Sequence, residues 1–235
     1  MKNKKKVLIT QSNYIPWKGY FDSIACVDEF VLYDDMQYTK RDWRNRNKIK
    51  TLSGLKWLSI PVEVKGKFFQ KINETKISDK EWNKNHLNSL KGSYSNSKCY
   101  KEVLPFIEEL YNAATHETIS EINHHFITEI CNYLRINTKI TFSSDYKLLE
   151  EGKTEKLVNL CEQLNASEYF SGPAAKNYME ESLFSEKNIK ISYYNYSNYP
   201  EYEQINGDFE HGVTILDLIF NEGQNALNFL KHQVK

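Results

Sequence analysis

The sequence has no CxxC pair, and its four cysteines, Cys26, Cys99, Cys131 and Cys161, lie far apart. That spacing suggests neither a zinc site nor a disulfide framework and fits free thiols in a reducing compartment. There is no excess of either charge: 31 Lys and Arg balance 31 Asp and Glu. A whole-molecule field that would steer the chain to nucleic acid or hold it on an anionic surface is therefore excluded, and any charge-based recognition must be local. Glycine and proline are sparse, 9 and 5 in 235 residues. No linker, repeat or low-complexity tract marks a boundary, so one domain is expected over 1–235. Long apolar runs are missing as well. After the basic Lys2 to Lys6, the run Val7 to Thr10 is too short for a signal-peptide core, and nothing later could span a bilayer. The expectation is a soluble, cytoplasmic protein with no membrane partner.

Aromatic residues are plentiful: 16 Tyr, 12 Phe and 4 Trp. Many of the tyrosines fall in polar segments, where a ring can stack while its hydroxyl bonds, which suits polar, ring-shaped ligands. A general bias toward Asn, Lys, Ile and Tyr accounts for the larger share of this abundance.

Short apolar runs at Lys6 to Gln11 and Glu29 to Tyr33 suit buried strands, and Gly19 to Val27 carries Phe21, Ile24 and Ala25 at helical spacing between them. Such a unit predicts parallel strands with ligands bound beyond their carboxyl ends, where Gln11 to Lys18 and Asp34 to Tyr38 lie. Trp57 to Val64, a Lys65-Gly66-Lys67 turn and Lys71 to Ile77 read as an antiparallel excursion near 57–77. Helices follow over Lys80 to Tyr94, Tyr100 to Asn112 and Thr118 to Leu134. The last opens with Thr118 and Glu121 in capping-box spacing. This helical insertion near 80–135 forms a subdomain or covers one face of the sheet. Strands at Ile140 to Phe142, Glu168 to Phe170 and Ile189 to Tyr194 flank a helix over Thr154 to Leu164, and helices over Val213 to Phe220 and Asn225 to Lys231 close the chain. The predicted class is α/β, a mainly parallel sheet with flanking helices.

Two segments could carry chemistry. The first, Gln11 to Phe21, sets Gln11, Asn13, Tyr14, Trp17, Lys18 and Tyr20 in a loop at the start of a helix, where backbone N–H groups and the dipole can meet an anion. A packed strand-to-helix turn shaped by Pro16 and Gly19 explains it equally well. The second begins with Asp34, Asp35 and Gln37 and runs into Lys40, Arg41, Trp43, Arg44, Asn45, Arg46 and Lys48. Guanidinium forks grip phosphate oxygens and an indole stacks on a base or sugar ring, so a phosphorylated or nucleotide-bearing ligand is expected, against the bland reading of a solvated charged hairpin.

The order I-x-Q-x-N-Y-x-P-W-x-G-Y-F, then V-D-x-F-V-x-x-D-D-x-Q-Y-T-K-R-D-W-R-N-R-N, resembles the WbqC-like protein family of bacteria. The resemblance continues through Trp57 to Pro61, His86-Leu87 with Tyr94, Tyr169 to Gly172 and Ile215 to Gly223, so it covers nearly the whole chain. Ser12 departs from it, since the family usually has proline there; that change loosens the loop without removing a functional group. The resemblance implies a setting among genes for O-antigen and related surface polysaccharides, with acyl or aminoacyl transfer to a nucleotide-linked amino sugar. It supplies no catalytic residues.

Such a transfer needs a deprotonated amine, a polarised carbonyl and a held pyrophosphate. Arg41, Arg44 and Arg46 could hold the pyrophosphate, and Asp34, Asp35 or His86 could take the amine proton. His86, four residues after Trp82 and four before Leu90, equally fits an inward histidine with a satisfied hydrogen bond. His211-Gly212 and Asp217 complete the site or cap and pack the last helix. No GxSxG is present, which favours direct transfer in a ternary complex. His124, His125 and Glu129 lack HExxH spacing, so no metal is expected. No cofactor is expected either, only an activated donor as co-substrate: a thioester, an aminoacyl-adenylate or an aminoacyl-tRNA. Two alternatives stand beside this reading. One is nucleotidyl transfer or adenylate formation, with Lys18 or an arginine in place of an HxGH motif. The other is a non-catalytic binding protein of a polysaccharide pathway.

Overall fold

The computed structural model describes residues 4–149 and 151–232. Five strands form one sheet in the order β5-β2-β1-β6-β7, and all four pairings are parallel. They are β1 (Lys6–Thr10), β2 (Glu29–Leu32), β5 (Lys139–Phe142), β6 (Glu168–Ser171) and β7 (Lys190–Tyr193). The apolar runs of β1 and β2 are nearly unbroken because both faces of these inner strands are covered. Leu8, Phe30 and Leu32 point into a large core shared with helices α1 (Lys18–Ala25), α2 (Trp82–Tyr94), α3 (Tyr100–Asn112), α4 (Ile119–Tyr133) and α7 (Ile215–Glu222). Val7, Ile9 and Val31 point the other way, into a smaller core with α5 (Lys153–Gln163) and Phe184 of α6 (Glu181–Glu186). Helices α2 to α4 thus contribute to the core on one side of the sheet.

The sequence pattern is met closely at α4: Thr118 accepts a hydrogen bond from Glu121 N at 3.3 Å and its own N–H donates to the Glu121 carboxylate at 3.0 Å. It is met less well in the antiparallel excursion. The paired strands are β3 (Arg46–Thr51) and β4 (Gly54–Ser59), and of the pairing expected over 57–77 the described residues show the isolated Val62–Ile77 bridge. Arg46, Lys48 and Lys50 alternate with Asn47 and Ile49 along β3, so a single apolar residue marks its inner face and the segment reads as a charged loop. At the end of the chain, Gly223–Phe229 is a 3-10 segment where an α-helix was expected, because Gly223 turns the backbone at φ 55°.

From β1 the chain first builds outward through β2 and β5, then returns to the opposite side of β1 for β6 and β7. The carboxyl end of β1 is therefore the switch point at which doubly wound sheets bind ligands. The loop that leaves it, 11–17, begins the candidate site. Among the described residues no helix is long and apolar enough to cross a membrane.

Candidate functional site

The loop after β1 and the basic strip after β2 are bound to each other. Ser12 N–H donates to Asp34 Oδ1 at 2.8 Å, and Asp34 Oδ2 accepts from Ser120 Oγ of α4 at 2.5 Å. Ser12 Oγ accepts from Asn123 Nδ2 at 2.9 Å, and the same amide reaches Arg44 O at 2.9 Å. The N–H that a proline here would lack is therefore used, and the loop is pinned where the sequence suggested loosening. Arg44 reaches over the loop, its Nη1 donating to Ser12 O at 3.0 Å, Gln11 O at 3.5 Å and Asn13 Oδ1. Tyr14 N–H donates to Trp43 O at 3.0 Å. Asn47 Nδ2 donates to Tyr14 O at 3.1 Å and to Ile15 O at 2.9 Å. Those bonds hold Ile15, a buried β-branched residue, at φ 36°, a conformation that costs about 1–3 kcal/mol and persists only where its surroundings enforce it.

This crossing leaves a pocket of about 330 Å³ lined by Asn13, Pro16, Trp17, Trp43, Asn47, His211 and Gly212. Its walls are two indoles and a proline. Asn47 is spent on the loop backbone, while Asn13 keeps its amide N–H groups and His211 is exposed. Trp17 is wedged against Tyr196 and Tyr199, with ring centroids 5.5 and 5.4 Å away, and its ring lies over Gly19 so closely that a Cβ there would stand 2.3 Å from it. Gly19 therefore sets the position of a pocket wall. Alanine normally stabilises a helix relative to glycine by about 0.5–1 kcal/mol. Gly19→Ala is instead expected to destabilise the chain by about 1–3 kcal/mol and to shift the tryptophan fluorescence as Trp17 is displaced. A gain in denaturation midpoint with an unchanged emission spectrum would show that the ring is not held there.

Outside the pocket the surface continues as an aromatic and cationic rim. Trp43 and Trp57 are 41% and 40% exposed, and their rings are 5.4 Å apart. Trp57 pairs with Lys48 across β3 and β4, and the Arg46 guanidinium lies 4.1 Å from its ring centroid, with Lys48 Nζ at 5.2 Å. Arg46 also donates to Arg41 O.

The remaining expected residues are dispersed. Asp34 is buried and used as described; burial pushes its carboxyl up against the hydrogen bonds it accepts from Ser12 and Ser120. Asp35 accepts from Ser143 Oγ at 2.5 Å and from Asn73 at 3.3 Å, with Lys71 3.7 Å away. His86 lies in a buried aromatic cluster, Nδ1 2.9 Å from Tyr14 Oη, which in turn meets Tyr111 Oη at 2.8 Å. Burial holds the imidazole down to about 4. None of these three lines the pocket: Asp34 and His86 anchor the loop through Ser12 and Tyr14, whereas Asp35 is bonded to Ser143 and Asn73. Tyr20 donates to Gln11 O at 3.0 Å. Gln37 donates to Phe68 O at 2.8 Å and Asn45 to Ile60 O at 2.8 Å, while Lys40 and Arg41 are exposed. Lys18 is buried, its amine lowered by burial to about 8, donating to Pro200 O and facing the rings of Tyr199, Tyr202 and Phe209 at 5.6, 5.1 and 5.7 Å. Asp217 is buried beneath the segment 195–212, which carries His211 to the pocket.

Sequence reasoning left Pro16, Asn47 and Trp57 out of the site, although all three stood inside motifs it had marked. Segment 195–212 offered no periodicity to find.

The WbqC-like protein family model matches residues 11–229. The uncharacterized protein Rv1507c of Mycobacterium tuberculosis is 50% identical over 228 residues, covering 97% of this chain and 98% of that protein. No solved structure matches this chain. The matched span takes in both halves of the pocket, the loop after β1 and the segment that brings in His211, and on that match the chain belongs to the WbqC-like protein family.

Proposed function

We propose that the chain is an acyl- or aminoacyl-transferase that holds a nucleotide-linked amino sugar across the indole-walled pocket and the rim beside it. The observation that carries this reading is the continuity of an apolar, aromatic pocket with an Arg46–Trp57–Lys48 rim. A ring can lie against the indoles while phosphate oxygens meet the cations. In this reading Asn13 supplies amide donors to sugar hydroxyls, and His211, the titratable residue in the pocket wall, takes over the proton-accepting role. The amine nitrogen forms the new bond to the donor's carbonyl carbon, the C–S or C–O bond to the leaving group breaks, and the amine proton passes to His211. An activated donor is required as co-substrate, and no metal is invoked.

The test is calorimetric titration with nucleoside diphosphate amino sugars, followed by turnover with thioester and aminoacyl donors. Saturable binding is expected, weakened about tenfold or more by Trp43→Ala. His211→Ala is expected to keep the binding and lose about a hundredfold or more in transfer. Absence of saturable binding by these sugars, or transfer that survives His211→Ala, would overturn the assignment.

A further inference from the structure

Lys18 opens α1, is 4% exposed, and forms no salt bridge among the described residues. A buried ammonium is costly unless its surroundings replace the lost water, and a methionine would fill the same space without that cost. What surrounds this one is Pro200 O, to which it donates, and the rings of Tyr199, Tyr202 and Phe209. All four belong to segment 195–212, which carries His211 to the pocket.

Two of the three rings are also tied by their hydroxyls. Tyr199 Oη donates to Asp22 Oδ2 at 2.5 Å, and its ring meets Trp17 at 5.4 Å. Tyr202 Oη donates to Asp217 Oδ1 at 2.7 Å. Phe209 has no such handle. It packs edge to face on Tyr202 at 5.2 Å, with Lys18 Nζ 5.7 Å from its centroid. It also meets the His211 imidazole, ring centroids 4.6 Å apart and planes at 84°. Ammonium and imidazole therefore share one ring, and that ring is the member of the cage held by packing and charge alone.

The other charged groups around Lys18 are already engaged or favour its cationic form. Glu201 of the same segment draws the ammonium toward the charged state. Asp22, one turn along α1, is taken by Tyr199, by His232 and by the Lys231 N–H. Asp217 of α7 accepts from Tyr202, and Lys231 Nζ lies 4.5 Å from the Tyr199 centroid. We infer that Lys18 is a positioning residue for His211, its ammonium holding the Phe209 ring and, through it, the imidazole in the pocket wall. That the held imidazole takes the amine proton rests on the transferase reading above.

The experiment follows the His211 Cε1–H resonance of the full chain by nuclear magnetic resonance as pH is raised, with His211→Gln for assignment. It compares the wild type with Lys18→Met, which keeps the side-chain length and removes the charge. The adjoining Phe209 ring makes this resonance sensitive to small displacements. Burial lowers the Lys18 amine to about 8, so the wild-type resonance is expected to show a second inflection there beyond its own titration. Lys18→Met is expected to lack that inflection and to resonate at a displaced position at acid pH. In transfer assays it should lose about tenfold in kcat with KM nearly unchanged. A merely structural lysine would lower the melting temperature without coupling His211 to a second titration. A wild-type resonance with a single inflection, or a Lys18→Met resonance that coincides with the wild type, would overturn the inference. Should the variant fail to fold, the wild-type titration still decides. A second inflection in a chain that transfers nothing would keep Lys18 as the positioning residue and strike the transferase reading alone.

Discussion

Asp217→Ala is expected to cost about 3–5 kcal/mol and to lower the melting temperature by roughly 6–20 °C. Asp217 is fully buried in α7, and its carboxylate gathers four donors. Tyr94 Oη lies 2.8 Å from Oδ2, while Tyr202 Oη at 2.7 Å, Gln204 Nε2 at 2.9 Å and Asn221 Nδ2 at 3.4 Å meet Oδ1. Burial pushes this carboxyl above its ordinary range, and the bonds from Tyr202 and Tyr94 pull it back. Truncation leaves two phenols inside the protein without their acceptor, which is more costly than never having built the cluster. It also frees the segment that bears His211, because Gln204 ties Asp217 to the rest of that stretch: Gln204 Nε2 donates to Glu210 O at 3.0 Å, and its Oε1 accepts from Glu210 N–H at 2.8 Å. Asp217→Asn keeps one oxygen for Tyr202 and Gln204, and the phenols can rotate to suit, so a smaller loss of about 1–2 kcal/mol is expected in chemical denaturation. If alanine and asparagine cost the same, under about 1 kcal/mol, the cluster is not what holds the segment down.

This cluster also shows where sequence reading stops. Asp217 was legible as a carboxylate on the last helix, but its partners come from Tyr94 and from Tyr202 and Gln204, residues whose meeting depends on how the chain returns over β3. β1 and β2 were legible because burial on both faces leaves unbroken apolar runs, and α4 because its cap and its apolar face are local properties. β3 was not legible, since Arg46, Lys48 and Lys50 dominate its composition. Lys50 in particular is buried, its amine bonded to Gln204 Oε1 at 3.0 Å, Gly207 O at 3.1 Å and Asp208 O at 2.5 Å. A count of charges treats such a lysine and the exposed Lys40 alike. The convergence of the loop after β1 with the basic strip was anticipated, because both follow strand ends on the same edge of a parallel sheet. Which cations remain free there was not, because that depends on carbonyl groups that sequence does not display.

Arg44 is the sharpest instance, and the second large effect follows from it. Read as a phosphate fork, it would lower ligand affinity when removed and leave stability nearly untouched. Its guanidinium instead spans Ser12 O, Gln11 O and Asn13 Oδ1, with Asp42 3.7 Å behind it. Arg44→Ala takes the guanidinium donor from Ser12 O and Asn13 Oδ1, while Gln11 O keeps Tyr20, and is expected to cost about 2–4 kcal/mol, with loss of ligand binding because Asn13 and Pro16 no longer keep their places in the pocket wall. Arg44→Lys keeps the charge but offers one ammonium where a planar fork met several acceptors, so it should recover less than half of that stability. Arg46→Ala is expected to behave in the opposite way. Its guanidinium lies on the partly exposed Trp57 ring, so stability should change by under about 1 kcal/mol while the affinity for an anionic ligand falls about tenfold. Denaturation midpoints and titrations on the three variants separate the roles. A fully stable Arg44→Ala that has lost nucleotide-sugar binding would return Arg44 to the ligand, and an unstable Arg46→Ala would make the rim a structural feature.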